Sequence, residues 1–107
     1  MDRYHLWFDL RPGTKPADFV HAVEAFLAHL RERDLCAGHL LERRKLGLGP
    51  EGLGEWHLAI AVRDLGQLQD AFERVEPREG ETETLHAAVW SRVTGLRFGL
   101  SRDVSSA

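Results

Sequence analysis

Hydrophobic and polar residues alternate in three segments of the chain, as they do in β-strands. Residues 4–10, YHLWFDL, place Tyr, Leu, Phe and Leu on one side and His, Trp and Asp on the other. Residues 55–62, EWHLAIAV, and residues 94–102, TGLRFGLSR, alternate in the same way. Residues 39–48, HLLERRKLGL, are extended but less regular, which is typical of a bulged edge strand. The pattern therefore predicts four strands.

Three segments between these strands have the three-to-four spacing of buried helix stripes. The first helix is predicted over about 16–34, with Pro16 in its first turn and Thr14 as the candidate cap. The second helix follows Asp64, whose carboxylate suits an N-cap. A shorter helical segment lies around residues 85–92, just before the last strand.

The order of these elements is βαββαβ with an extra helical segment before the final strand, which predicts a ferredoxin-like α+β fold. Right-handed crossovers place the first and third strands at the centre of a four-stranded antiparallel sheet. The helices cover one face of this sheet. We expect a single domain over residues 1–107, with residues 103–107 as a loose tail.

The other face of the predicted sheet has no element left to cover it. Its side chains are neither uniformly polar nor uniformly apolar: His5, Trp7, Asp9, Glu55, His57, Ala59 and Arg97. Two copies of the chain could close sheet against sheet around such a surface. The pattern therefore predicts a homodimeric barrel with a polar-lined cavity between the two sheets.

Three motifs, YHLWFDL, RRKLGLGPEGLGEWH and SRVTGLRFGLSRD, resemble a small bacterial family of unknown function within the dimeric α/β-barrel superfamily. The resemblance spans nearly the whole chain. It implies a ferredoxin-like dimer but supplies no reaction. The superfamily includes cofactor-independent monooxygenases, lactone isomerases, haem-degrading enzymes and domains without known activity, so the fold alone does not select a function.

The candidate chemistry lies where the first and third strands run side by side. A histidine beside a carboxylate is the pairing that forms a general base near neutral pH, so the catalytic candidates are His57, His5 and Asp9. Residues suited to ligand contact are Trp7, Glu55 and Arg97, with Arg43 and Lys45 at the rim. As an alternative, the same groups satisfy one another in a dimer that holds no ligand.

Metal and haem sites are the less favoured alternatives. Histidines and carboxylates on one face could hold a metal, but no tight HxH or HExxH spacing is present. Haem-degrading relatives carry an axial histidine on a late helix, where His86 stands here, and use an asparagine on an early strand. This chain has no asparagine, and Asp9 is its nearest analogue. We therefore expect no metal and no cofactor.

Two further motifs have simpler explanations. Residues 47–52, GLGPEG, match GxGxxG, but a strand rather than a helix follows, so the glycines serve a hairpin connection whose Leu48 and Leu53 could form a flap. The basic run at 42–45 invites comparison with RNA-binding sheets. The net charge of −3 and the weak aromatic pattern of the third strand predict no nucleic-acid partner.

The remaining features indicate an ordinary soluble chain. The lone Cys36 is expected to be a buried, inert thiol, and residues such as His29 are expected on the surface or on helix flanks. The first strand starts too early for a signal peptide, and no apolar run suits a membrane helix, so a cytoplasmic location is expected. The sequence thus predicts a homodimer binding a small aromatic or anionic metabolite. Monooxygenase- or isomerase-like catalysis and a purely structural dimer remain the alternatives.

Overall fold

Four antiparallel strands form one sheet in the order β2–β3–β1–β4, with three helices between them along the chain. A computed structural model describes residues 1–105. The elements are β1 (Asp2–Leu10), α1 (Pro16–Glu32), β2 (Gly38–Arg43), β3 (Trp56–Val62), α2 (Leu65–Val75), α3 (Gly80–Trp90) and β4 (Val93–Arg102). The predicted ferredoxin-like arrangement is confirmed, including the central pair of strands and the extra helix before β4.

The hydrophobic core lies between α1 and the two central strands. Phe8, Leu58 and Val62 of the sheet are fully buried, as the alternation predicts. The ring of Phe8 meets the ring of Phe19 on α1 edge-on, with centroids 5.5 Å apart, and that of Trp90 at 5.7 Å. Burying each such side chain contributes about 1.5–3 kcal/mol, so these contacts fix the helices to one face of the sheet.

The outer strand β4 is covered much less than β1 and β3. Phe98 and Leu100 pair with Leu6 and Tyr4 in the β1–β4 register and therefore share the helix side of the sheet, as predicted. They nevertheless remain 61% and 54% exposed. The helices lie mainly over the two central strands. Side chains of the edge strand β4 therefore stay partly exposed even where they point to the helix side.

The second strand is shorter than the extended pattern predicts. It ends at Arg43, and the chain then enters a loop over residues 44–55 in which Leu46 has a positive φ of 56°. The guanidinium of Arg44 holds this loop from inside by donating to the carbonyl oxygens of Pro50, Leu53 and Gly54, at 3.2, 3.0 and 3.4 Å. The GxGxxG match lies in this loop, away from any helix N-terminus.

One of the two predicted helix caps is correct. The carboxylate of Asp64 accepts a hydrogen bond from the backbone N–H of Gln67 at 2.9 Å, which is the N-cap bond of a capping box, while Gln67 Oε1 accepts from the N–H of Arg63 rather than of Asp64. Pro16 begins α1, but the cap residue is Lys15 rather than Thr14, and it makes no side-chain cap. Pro16 fixes its own φ and lacks an N–H, so the helix starts without a hydroxyl cap.

The histidine expected at the surface of α1 is instead buried. His29 is only 5% exposed, and its Nε2 lies 2.7 Å from the hydroxyl of Thr82, because α3 packs against α1 at this point. Burial lowers the pKa of His29. The thiol of Cys36 is buried, as expected, and burial raises its pKa.

Ion pairs join the two ends of the chain across β1 and β4. Arg102 donates to the carboxylate of the buried Asp2 at 2.7 and 3.1 Å, and Arg3 forms an ion pair with Asp103. Asp103, the first residue of the expected tail, is thus paired with Arg3, and residues 106–107 of that expectation lie outside the described residues. Within residues 1–105, no helix combines the length and apolarity that a membrane crossing requires.

Candidate functional site

The face of the sheet without helices, called the open face, brings the two predicted catalytic histidines into contact. His5 Nδ1 and His57 Nε2 are 2.8 Å apart, a normal hydrogen-bond distance. They come together because β1 and β3 are antiparallel neighbours that place Trp7 directly opposite His57 and His5 directly opposite Ala59. The small side chain of Ala59 leaves room for the two rings to meet diagonally.

This histidine pair is part of a row of four polar side chains, the polar row, to which each strand contributes one. On one side His5 Nε2 lies 2.7 Å from the hydroxyl oxygen of Ser101 on β4. On the other side His57 Nδ1 lies 3.3 Å from a carboxylate oxygen of Glu42 on β2. Ser101, His5, His57 and Glu42 therefore form one continuous hydrogen-bonded row across the sheet.

The indole of Trp7 lies against this row. Its ring is nearly parallel to that of His57, with an interplanar angle of 7° and centroids 4.9 Å apart. On the other side of β1 it lies so close to Gly99 that a Cβ there would be 3.0 Å from the indole. Gly99 thus gives the large ring room to lie flat beside the row.

The predicted carboxylates of the site have other partners. Asp9 accepts a hydrogen bond from the backbone N–H of Glu55 at 2.9 Å, which fastens the end of the 44–55 loop to β1. The Glu55 carboxylate accepts a hydrogen bond from Arg43 Nε at 2.5 Å. The Cζ atom of Arg43 also lies 5.0 Å from the centroid of the Trp56 ring, a cation–π distance. The carboxylate bonded to the histidine pair of the open face is instead that of Glu42.

The remaining predicted contact residues lie around the edge of the open face. Arg97 is opposite Trp7 in the β1–β4 register and exposed, and Lys45 is exposed in the loop. Trp7, His57 and Arg43 border a shallow groove of about 330 Å³, together with Leu48 and Leu53 of the loop. The predicted flap thus borders the open face near Trp7.

Sequence reasoning missed Ser101 and Glu42. Both follow from strand register: Glu42 pairs with His57, and Ser101 lies two residues from Gly99, which pairs with His5. The irregular pattern of β2 gave no register, so the partner of His57 could not be assigned. Burial lowers the pKa of His5, and the positive charge of the nearby Arg3 lowers it further, which keeps this imidazole neutral at neutral pH.

A larger cavity lies on the opposite side of the sheet, between β1, β3 and β4 and the helices. This helix-side cavity has a volume of about 370 Å³. Its walls are mainly apolar: Leu6, Phe26, Leu30, Leu35, Ile60, Val62, Leu68, Ala71, Val75, Trp90 and Leu96. Clefts of this size with few polar groups are typical of small-molecule sites.

Two polar atoms near this cavity are buried without hydrogen bonds. His86, which lines the cavity, has its Nδ1 3.6 Å from Glu83 Oε2, one turn earlier on α3. Within residues 1–105, these two are the buried side-chain nitrogen and oxygen atoms without a hydrogen-bond partner. Burial lowers the pKa of His86, and the nearby Arg78 lowers it further. The imidazole is therefore neutral at neutral pH and keeps one donor and one acceptor nitrogen.

Aromatic rings form the outer part of the helix-side cavity. Tyr4 packs edge-on against Phe72 with centroids 5.4 Å apart and lies nearly parallel to Phe98 at 6.1 Å. Phe72 and Phe98 are 48% and 61% exposed, so they mark the side that faces solvent. Burial raises the pKa of the Tyr4 phenol. The volume of the cavity depends on the distance of α2 and α3 from the sheet, and the periodicity of the sequence does not show this distance.

The potential metal ligands within residues 1–105 are not clustered. Among residues 1–105, no group of three or more histidine, cysteine, aspartate or glutamate side chains is placed to hold a metal ion. The two histidines of the open face are bonded to each other and to Ser101 and Glu42.

Comparison with known proteins places the chain in a family. The model of the family described as "Family of unknown function (DUF6614)" matches residues 1–107. The chain belongs to this family. No curated protein matches the sequence. DUF6614 therefore confirms the resemblance to a family of unknown function and leaves the activity to the geometry of the site.

Solved structures share the fold of this DUF6614 chain at low sequence identity. The Arabidopsis thaliana protein At3g17210 has a TM-score of 0.74 at 7% identity, and the alignment covers 100% of this chain and 99% of At3g17210. SnoaB of Streptomyces nogalater, a cofactor-independent oxygenase, has a TM-score of 0.65 at 19% identity, with 98% and 94% covered. A dimeric ferredoxin-like protein of unknown function from Bacteroides fragilis has a TM-score of 0.59 at 8% identity, with 95% of both chains covered.

The buried imidazole of His86 predicts a specific dependence of stability on pH. Its pKa is lower in the folded than in the unfolded chain, so below the ordinary pKa of 6.5 the unfolded state binds more protons. The free energy of unfolding should therefore fall as the pH drops from 7.5 to 5.5. In His86→Phe, denaturant titrations should show a shallower fall. The exposed His21→Phe serves as the control, and equal slopes in His86→Phe and the parent chain would contradict the assignment.

Proposed function

We propose that this protein binds a small, flat, mainly apolar molecule with one hydroxyl or carbonyl group in the helix-side cavity. The main support is His86, which lines an apolar space of about 370 Å³ and whose buried Nδ1 has no hydrogen-bond partner. The buried Oε2 of Glu83, 3.6 Å from that nitrogen, also lacks a partner. An unsatisfied buried polar atom costs about 1–3 kcal/mol, which a ligand polar group at this position would recover.

The remaining walls favour an aromatic ligand. Tyr4, Phe72 and Phe98 present ring faces and edges at the outer end, and Trp90 lies further in. Rings packed edge-on or offset contribute about 0.5–1.5 kcal/mol beyond the area they bury. Arg78 supplies a positive charge on the cavity wall, although it lies only 3.9 Å from Glu83 and is partly neutralised. A neutral phenol fits these surroundings better than a carboxylate.

An oxygenase-like activity is the second candidate. It is supported by the fold shared with SnoaB, a cofactor-independent oxygenase, and by a neutral imidazole in the cavity. His86 would accept the proton of the ligand hydroxyl and so raise the electron density of the ring. Consumption of dissolved oxygen on addition of a phenolic compound would separate this activity from binding alone.

We also propose that the open face is covered by a second copy of the chain. Support comes from the dimeric ferredoxin-like protein of similar fold and from the mixed character of the face, on which Leu40 is 58% exposed and Trp7 partly exposed. A polar row flanked by an indole suits the inside of a barrel better than open solvent. Glu55 and Arg97, predicted to contact a ligand, would then border the interior of that barrel.

Binding of 1-naphthol and naphthalene tests the proposed ligand class. Both should quench tryptophan fluorescence, and 1-naphthol should bind about tenfold more tightly because its hydroxyl satisfies a buried polar atom. His86→Phe should remove that preference while leaving naphthalene binding in place. Equal affinity of the unaltered protein for the two compounds would contradict the role of His86.

A matched pair of leucine variants locates the site. Leu96→Trp fills the helix-side cavity and should abolish binding of both compounds. Leu65→Trp, at the exposed start of α2, makes the same change outside the cavity and should bind normally. If Leu96→Trp folds normally by circular dichroism and still binds naphthalene, the cavity is not the site.

The oligomeric state tests the proposed dimer. At micromolar concentration, sedimentation should give about twice the mass of one chain. Leu40→Glu places a charge on the open face and should yield a monomer, whereas Leu65→Glu, of similar exposure on α2, should remain dimeric. A monomeric parent chain, or equal behaviour of the two variants, would refute the dimer through this face.

A further inference from the structure

With both imidazoles neutral, the Glu42 carboxylate sets a single direction of hydrogen bonding along the polar row of the open face. The carboxylate of Glu42 can only accept, so His57 Nδ1–H donates to it. In a neutral ring His57 Nε2 then carries no hydrogen and accepts from His5 Nδ1–H. His5 Nε2 is left as an acceptor and receives the hydroxyl hydrogen of Ser101. Each bond therefore sets the tautomer of the next ring, and the row ends with a basic nitrogen 2.7 Å from a serine oxygen.

We propose that Ser101 is a nucleophile, with His5 as its general base, that attacks small aryl or acyl esters on the open face. A serine bonded to a histidine whose second nitrogen is itself held by a bonded partner is the arrangement by which proteins activate a hydroxyl. His57 and Glu42 are positioning residues that hold His5 in the tautomer required. This site is separate from the helix-side cavity, because the two lie on opposite faces of the sheet.

The surroundings of Ser101 suit the charge that such an attack creates. Arg3 is directly opposite Ser101 in the β1–β4 register, which places the two Cβ atoms about 4.5–5.5 Å apart on the same face. Its guanidinium, which forms an ion pair with Asp103, is a positive charge on the residue opposite Ser101 and would offset part of the negative charge of an oxyanion. Arg3 is near enough to lower the pKa of His5, in addition to the larger effect of burial.

The position of Ser101 keeps it accessible. The residue is exposed and is the second to last of the edge strand β4, so it lies at the rim of the face that a second copy would cover. The indole of Trp7 lies beside the row, over Gly99, and offers a flat apolar surface to the acyl or aryl group of a substrate. These features favour small aromatic esters over long flexible ones.

The reaction balances without any cofactor. Ser101 Oγ bonds to the ester carbonyl carbon while its proton passes to His5 Nε2. The carbon–oxygen bond to the alcohol group then breaks, and the alcohol leaves with that proton. Water attacks the acyl-serine with His5 again accepting and returning a proton, which releases the carboxylic acid and restores Ser101. The net change is one ester and one water to one acid and one alcohol.

Covalent labelling with a fluorophosphonate probe tests this proposal on the full-length protein. Mass spectrometry should find one adduct per chain, on the peptide that contains Ser101. Ser101→Ala should abolish labelling and the hydrolysis of p-nitrophenyl acetate, and His5→Gln should slow both about 100-fold. The exposed Ser91→Ala, outside the row, should react like the parent chain.

The outcomes that overturn the proposal are equally specific. They are the absence of an adduct, an adduct on another residue, or an unchanged labelling rate in a folded His5→Gln variant.

If His5→Gln does not fold, Glu42→Gln on the exposed edge strand replaces it. This variant should slow labelling about tenfold and shift the imidazole ¹⁵N signals that report the histidine tautomers, and unchanged rates would overturn the proposal. Ser101→Ala should still bind 1-naphthol, which keeps this test independent of the helix-side cavity.

Discussion

The central position of β1 between β3 and β4 is the constraint on which the rest of the structure depends. Successive side chains of a strand point to opposite faces, so β1 gives Leu6 and Phe8 to the core and His5 and Trp7 to the open face. A slip of one residue would exchange the two sets. The hydrophobic burial that fixes the register therefore also fixes the histidine pair.

The two faces of the sheet consequently carry different chemistry. On the helix side, one neutral imidazole lines an apolar cavity whose outer end, at Phe72 and Phe98, faces solvent. On the open face, four polar side chains form a hydrogen-bonded row, and one of them, Ser101, lies at the rim. The unsatisfied pair of His86 and Glu83 points to a bound molecule, whereas the satisfied row points to an oriented base. The fold shared with SnoaB is compatible with either chemistry.

Periodicity was sufficient to predict the fold and the common face of His5 and His57, because alternation and strand order determine both, but the predicted partner of each histidine was a carboxylate rather than the other imidazole. It was insufficient for Glu42, since the irregular β2 gives no register, and for Asp9, whose carboxylate is taken by the backbone of the 44–55 loop. The helix-side cavity could not be predicted from the sequence either. Its volume depends on how far α2 and α3 stand from β4, and a helical stripe shows which side faces inward but not that distance.

The most direct test of the central claim, that the helix-side cavity is a ligand site, is a crystal structure of the protein soaked with 1-naphthol. We predict electron density between the sheet and helices α2 and α3, with the hydroxyl oxygen at hydrogen-bond distance, about 2.7–3.2 Å, from His86. Density confined to the open face, or a cavity closed by its own side chains and empty of ligand at saturating concentration, would contradict it.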